Sequence, residues 1–73
     1  MNKYIIPIAD IPGGEVYFET VMARSLSDCQ DKLMRKLSKE YGIEEVTDYR
    51  DFINIADSNY DLLIGEITDI ESI

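Results

Sequence analysis

The sequence contains no histidine, no tryptophan and a single cysteine. Without histidine, whose pKa lies near neutrality, acid–base catalysis would need a cysteine, lysine or carboxylate with a pKa shifted by its surroundings. The lone Cys29 cannot form an intramolecular disulfide, and no Cys-x-x-Cys spacing offers a metal site. We therefore expect no enzyme, no catalytic residue, no metal and no cofactor, and a reducing compartment such as the cytoplasm.

The chain also lacks a long hydrophobic run. The apolar stretch at the N-terminus is interrupted by Pro7 and Asp10, so it matches neither a signal peptide nor a membrane span. The length of 73 residues is near the lower limit at which one hydrophobic core outweighs chain entropy. Because 45% of the residues are apolar, we expect residues 1–73 to form a single small acidic domain, with the tail after about residue 70 frayed.

Basic residues are scarce and unevenly distributed. Seven of them stand against fifteen acidic residues, which gives a net charge of −8. Such a charge opposes direct binding to nucleic acid or to an anionic membrane. No basic residue follows Arg50, whereas residues 51–73 contain six acidic ones. The C-terminal third is therefore predicted to present a surface of one sign.

The first third of the chain has the pattern of a β-hairpin. Residues 3–11 are rich in isoleucine and end in the turn sequence Pro-Gly-Gly at positions 12–14. Because no Gly-x-x-x-x-Gly-Lys pattern accompanies these glycines, a hairpin turn is favoured over a phosphate-binding loop. Residues 15–23 alternate between two faces, one of which contains Val16, Phe18, Thr20 and Met22.

Two helices are predicted next. Ser25 is a typical N-cap residue and Gly42 a typical C-terminal stop, and between them apolar residues recur every three or four positions. Two acid–base pairs at four-residue spacing support this helix. The apolar spacing from Tyr49 to Ala56 predicts a second, shorter helix with Thr47 or Asp48 as its cap.

A third strand is predicted over residues 60–70, after a break at residues 57–59. The order β-β-α-α-β indicates an α+β fold, a small three-stranded antiparallel sheet with both helices packed on one face. Pro7 lacks the amide proton that a central strand would donate. This favours an edge position for the first strand and places the third strand beside the second.

Every predicted strand has apolar residues on both faces. If helices cover one face, apolar side chains remain on the other and need a cover. Loops or the tail can provide it, and so can a partner, including a second copy of the chain. The pairs of opposite parity are Ile5 and Ile6, Phe18 and Val21, and Leu63 and Ile64.

A partial calcium-loop pattern occurs near the end of the second predicted helix. Asp57, Asn59 and Asp61 match the first three ligand positions of such a loop. Leu62, however, replaces the glycine that the sharp turn needs, and Thr68 replaces the bidentate glutamate. The pattern therefore predicts no calcium site.

The acidic C-terminal third is the feature that bears on function. Its charge can simply keep a small protein in solution, or it can contact a basic groove of another protein in place of phosphates. In an extended chain the five carboxylates of residues 57–73 would average one per about 11 Å, against one phosphate per about 3.4 Å of a DNA strand, so mimicry requires them to converge. The candidate partner-binding residues are Asp48, Asp51, Asp57, Tyr60, Asp61, Glu66, Asp69 and Glu71.

In its size, charge and lack of catalytic groups, the chain resembles the small inhibitors that phages and mobile elements direct at host nucleic-acid enzymes, including restriction and CRISPR nucleases. The resemblance implies a DNA-mimic protein that occupies the cationic site of a nucleic-acid-binding partner and itself binds neither nucleic acid nor membrane. The alternative is a small homodimeric structural or regulatory protein with no mimic role. Its interface would be the second face of the sheet.

Overall fold

A computed structural model describes residues 1–70 and shows an α+β fold, as the sequence predicts. Both helices pack on one face of an antiparallel sheet, in the predicted β-β-α-α-β order with one short strand added at the end. Within the described part of the chain, no helix is both long and apolar enough to cross a bilayer. The predicted fraying after residue 70 lies outside the described residues. The elements are β1 (Asn2–Asp10), β2 (Glu15–Ala23), α1 (Leu26–Tyr41), α2 (Tyr49–Tyr60), β3 (Leu62–Ile64) and β4 (Thr68–Asp69).

The strand β1 is central in the sheet. It pairs with β2 along its whole length on one side, and with β3 and then β4 on the other. The prediction that the first strand lies at an edge, with the third strand beside the second, is therefore wrong. The single long third strand that the sequence predicted is two short strands, which residues 65–67 separate.

A gap in the pairing accommodates Pro7 within the central strand. The Pro7 carbonyl accepts a hydrogen bond of 2.8 Å from the Gly65 amide, on the side of β3 and β4. Because the N–H and C=O of a strand residue point to the same side, the amide proton that proline lacks would also have pointed there. Neither β3 nor β4 extends to that point, where residues 65–67 connect the two strands. The proline thus removes no bond from the β1–β2 ladder.

Both helices begin with the same capping arrangement. The Ser25 hydroxyl accepts a hydrogen bond from the Asp28 amide at 3.2 Å, and the Asp48 carboxylate accepts one from the Asp51 amide at 2.8 Å. In both helices the aspartate in the first turn also accepts from the amide of the residue before the cap. Ser25 is confirmed as the cap of α1, and Asp48 rather than Thr47 caps α2.

The two helices end in left-handed residues. Gly42, with φ of 69°, ends α1 as predicted, because glycine adopts this conformation without steric cost. The second helix continues through residues 57–59 to Tyr60, so the predicted break at those residues is wrong. Asp57, Ser58 and Asn59 are exposed, and polar residues are tolerated on the outer face of a helix.

The hydrophobic core lies between the sheet and the two helices. Cys29 is one of its fully buried side chains, and burial raises the pKa of its thiol, so its environment is that of an inert core residue. The other large side chains that are almost completely buried are Ile6, Ile8, Leu33, Leu37, Phe52 and Leu62.

Candidate protein-binding surfaces

The structure places four of the predicted partner-binding residues at the two ends of α2. Asp48 is the N-cap and Asp51 lies in the first turn, whereas Asp57 is in the last turn and Asp61 is the C-cap. At 1.5 Å per residue, about 20 Å of helix axis separates Asp48 from Asp61. These four carboxylates therefore form two groups rather than one patch.

The remaining predicted residues come from the end of α2 and the β3–β4 segment. Tyr60 is half-buried and donates a hydrogen bond of 3.3 Å to the Gly42 carbonyl. Glu66 is exposed in the linker between β3 and β4, and Asp69 is half-buried opposite Tyr4 in β4. Glu71 lies outside the described residues.

Three of these carboxylates are free for an external partner. Asp48 and Asp51 accept hydrogen bonds from backbone amides of the helix start, so they already have a structural role. Asp57, Asp61 and Glu66 are exposed, and they form no ion pair with any residue of the range 1–70. We call these three the free acidic residues.

Basic side chains are concentrated on α1, and Lys32, Arg35 and Lys36 each form an ion pair with an acidic side chain. The predicted pairs Asp28–Lys32 and Asp31–Arg35 are confirmed, with N···O distances of 3.4 and 2.8 Å. Lys36 bonds to Glu19 of β2 at 2.7 Å, and this hydrogen bond raises the pKa of the lysine. Such exposed pairs add little stability, typically about 0.2–1 kcal/mol.

The sheet has a second face that neither α1 nor α2 covers. The sequence predicted that Val16, Phe18, Thr20 and Met22 share a face, and the β1–β2 register places them on this one, whereas the helices pack against the opposite parity. We call this surface the open sheet face. Across its strands it consists of Lys3, Ile5, Pro7, Ala9, Val16, Phe18, Thr20, Met22, Leu63, Thr68 and Ile70.

Large apolar side chains of the open sheet face are accessible to solvent. Val16 is 77% exposed and Phe18 is 65% exposed, and Met22, Leu63 and Ile70 are also exposed. A contiguous apolar surface on one side of a small domain is the usual sign of an interaction site. The sequence signalled it through the apolar residues of opposite parity, but the pattern alone did not tell which parity the helices would cover.

The incomplete calcium pattern does not form a metal-binding cluster. Asp57 and Asn59 are in the last turn of α2, and Asp61 is its C-cap. Within residues 1–70, no group of three or more histidine, cysteine, aspartate or glutamate side chains is arranged to hold a metal ion.

Tyr49 is an unusual residue of α2, and it gives a prediction about alkaline stability. Its hydroxyl is buried and has no hydrogen-bond partner among residues 1–70, and burial raises its pKa to about 12. Since an unfolded tyrosine titrates near pH 10, the contribution of the neutral phenol is fully present below about pH 10 and is lost as the pH rises toward 12. We expect Tyr49→Phe to leave stability at pH 7 equal or slightly higher and to reduce the loss at alkaline pH.

Urea-unfolding midpoints of the wild type and Tyr49→Phe at pH 8 and pH 11 check this expectation. Between pH 8 and pH 11 the wild type should lose more unfolding free energy than Tyr49→Phe does. Because the ring is half-buried, this difference should be no more than about 1–2 kcal/mol. An identical alkaline loss in the variant would instead assign the effect to another phenol, such as Tyr17, whose pKa is also raised by burial.

Comparison with known proteins gives no relative for this chain, since no family model, no curated protein and no solved structure matches it. The functional inference therefore depends on the two surfaces that the fold presents. One is the set of free acidic residues, and the other is the open sheet face.

Proposed function

We propose that this protein is a small acidic binding protein that attaches to a basic surface of another protein, at a site where that partner binds nucleic acid. The supporting observation is the position of the unneutralised charge. The free acidic residues are exposed and lack an ion pair within residues 1–70, whereas Lys32, Arg35 and Lys36 of α1 each have an acidic neighbour. Because no basic residue follows Arg50 in the sequence, a basic partner would be attracted to the C-terminal part of the chain.

The fold brings some of these charges closer than the extended chain does. Asp57 and Asp61 are four residues apart at the end of α2, about 6 Å along the helix axis, compared with an average of about 11 Å for an extended segment. This spacing is closer to that of consecutive phosphates. Glu66 adds a third charge from the linker between β3 and β4.

In this proposal the protein acts as an inhibitor, because it excludes DNA or RNA from the partner's cationic site. Small anti-restriction and anti-CRISPR proteins of phages and mobile elements act in this general way, and we propose the same origin and a cytoplasmic location here. A reducing compartment suits the free thiol of Cys29. The protein itself binds neither nucleic acid nor membrane, in keeping with its net charge of −8.

The proposal predicts that neutralising the free acidic residues slows association with the partner. The target is first captured from a bacterial lysate at low salt and released with competitor duplex DNA, which selects proteins held at a nucleic-acid site. Association rates of the purified target are then measured for the wild type and for the triple variant Asp57→Asn, Asp61→Asn, Glu66→Gln. We expect the variant to associate about tenfold more slowly and with a weaker salt dependence.

A second triple variant removes the same charge elsewhere. Glu15→Gln, Glu40→Gln and Glu44→Gln also change the net charge by three, but on β2, at the end of α1 and in the loop after it, and these carboxylates too are exposed and form no ion pair within residues 1–70. We expect this control to reduce the association rate much less than the first variant does. Equal losses would show that only the total charge matters, and unchanged rates in both would contradict the proposal. Asp48 and Asp51 are left intact because their loss would weaken the start of α2.

A second candidate function is that of a homodimeric structural or regulatory protein without a mimic role. The open sheet face favours it, because an exposed apolar surface is not needed for binding through charge. Under this alternative the two triple variants behave alike and no target is released by DNA.

A further inference from the structure

The open sheet face is a surface of the protein that the proposed function does not use. It combines eight apolar residues with Thr20, Thr68 and one charged residue, Lys3. The nine-residue strands β1 and β2, with the short β3 and β4 end to end beside β1, give it a footprint of about 400 Å² at about 4.8 Å per strand, before side-chain relief is counted. A specific interface needs about 500 Å² of accessible surface from each partner, so this face alone comes close to sufficing.

The charged residues of this face, and those missing from it, indicate which kind of partner it can bind. Each acidic residue in the described strands is on the opposite, helix-covered parity: Asp10, Glu15, Glu19 and Asp69. Among residues 1–70, the open sheet face therefore contains no carboxylate, although the chain has a net charge of −8. A basic protein would be attracted to carboxylates elsewhere on the chain, and an anionic membrane would be repelled by the molecule as a whole.

A second copy of the same chain fits these properties. Two identical acidic molecules can associate only where their carboxylates stay apart, and on this face they do. We infer that two copies stack their open sheet faces around a twofold axis, with the sheets about 10 Å apart and the helices outermost. In this arrangement Phe18, near the middle of β2, enters the interface twice, once from each copy.

The dimer leaves the surface of the proposed function accessible. Asp57 and Asp61 belong to the end of α2, on the helix side of the sheet, so they remain exposed on both copies. The dimer would thus present two acidic surfaces on opposite sides. The inference is independent of the proposed function, because a dimer can form whether or not a basic partner exists.

The test is the mass of the protein in sedimentation equilibrium over about 1 µM to 1 mM. We expect twice the chain mass of 8.4 kDa at high concentration. The variant Phe18→Glu introduces a carboxylate on each side of the interface, and we expect it to raise the dimer dissociation constant by about 100-fold or more. Because Phe18 is exposed within the single chain, the variant should keep its circular dichroism spectrum.

A matched control has the same substitution outside the face. Leu26 at the start of α1 is also exposed, at 49%, and Leu26→Glu should leave the dimer unchanged. Added salt should strengthen the dimer, because it screens repulsion between like-charged copies, whereas it should weaken the complex with a basic partner. The two inferences can therefore fail separately.

Three outcomes would overturn the dimer. One is a monomer mass at all concentrations in high salt. Another is a dimer that Leu26→Glu breaks and Phe18→Glu does not, which would place the interface elsewhere. The third is a monomeric protein whose binding to the captured target is lost in Phe18→Glu, which would identify that target as the occupant of the open sheet face.

Discussion

Phe52→Ala is expected to lower the free energy of unfolding by about 3–5 kcal/mol. Phe52 has no exposed surface and belongs to the core cluster that joins α2 to the sheet and to α1. Its ring also lies 6.1 Å from that of Tyr49 in a tilted arrangement. A chain of this length has about 4–11 kcal/mol of stability in total, so the variant should lose much of its cooperative fold. Urea unfolding followed by circular dichroism measures the loss.

An exposed position two residues further along α2 provides the control. Asn54 is exposed, and Asn54→Ala should change stability by no more than about 0.5 kcal/mol. If Phe52→Ala cost no more than Asn54→Ala, α2 would not pack on the sheet as described. The comparison also tests the face assignment that the sequence provided, because the helical spacing predicted Phe52 as inward-facing.

The helices were predictable because their signals are local. The hydroxyl of Ser25, the carboxylate of Asp48 and the left-handed residue Gly42 act on atoms within a few residues, so the sequence alone located those boundaries. The end of α2 was missed for the same reason. Asp57, Ser58 and Asn59 have poor helix propensity, but Tyr60 and Ala56 pack against the core cluster, and tertiary packing outweighs propensity.

The strand order was not predictable from local rules. The rule that proline belongs at an edge assumes that a neighbouring strand is continuous. Here Pro7 sits opposite Gly65, at the point where β3 ends before β4 begins, and that interruption is visible only in the assembled sheet. The proline therefore marked a gap in the partner strand rather than an edge.

The two candidate surfaces also differ in how far the sequence alone predicted them. The apolar residues on both parities predicted an uncovered face, and the structure shows which residues form it. The acidic set was predicted from composition, which does not distinguish capping carboxylates such as Asp48 and Asp51 from free ones. That distinction required hydrogen-bond geometry, and it decides which substitutions test binding rather than folding.

Gly65→Ala is expected to destabilise the protein by about 1–3 kcal/mol, although Gly65 is exposed and its backbone conformation is open to alanine. A Cβ atom there would lie 2.5 Å from Cγ of Pro7 and 3.3 Å from its Cδ. Carbon atoms pack at about 3.5–4.0 Å, and the proline ring has little freedom to move away. The strands must therefore separate, which stretches the 2.8 Å hydrogen bond from Gly65 to the Pro7 carbonyl.

A double-mutant cycle with Pro7→Ala separates this clash from other effects of the added methyl group. Without the ring, the nearest remaining atom to the new Cβ is the Pro7 carbonyl oxygen at 3.3 Å, a contact that a small shift relieves. We expect Gly65→Ala to cost clearly less in the Pro7→Ala background, with a coupling of about 0.5–2 kcal/mol from urea-unfolding midpoints. Equal costs in both backgrounds would show that the proline ring is not what requires glycine at this position.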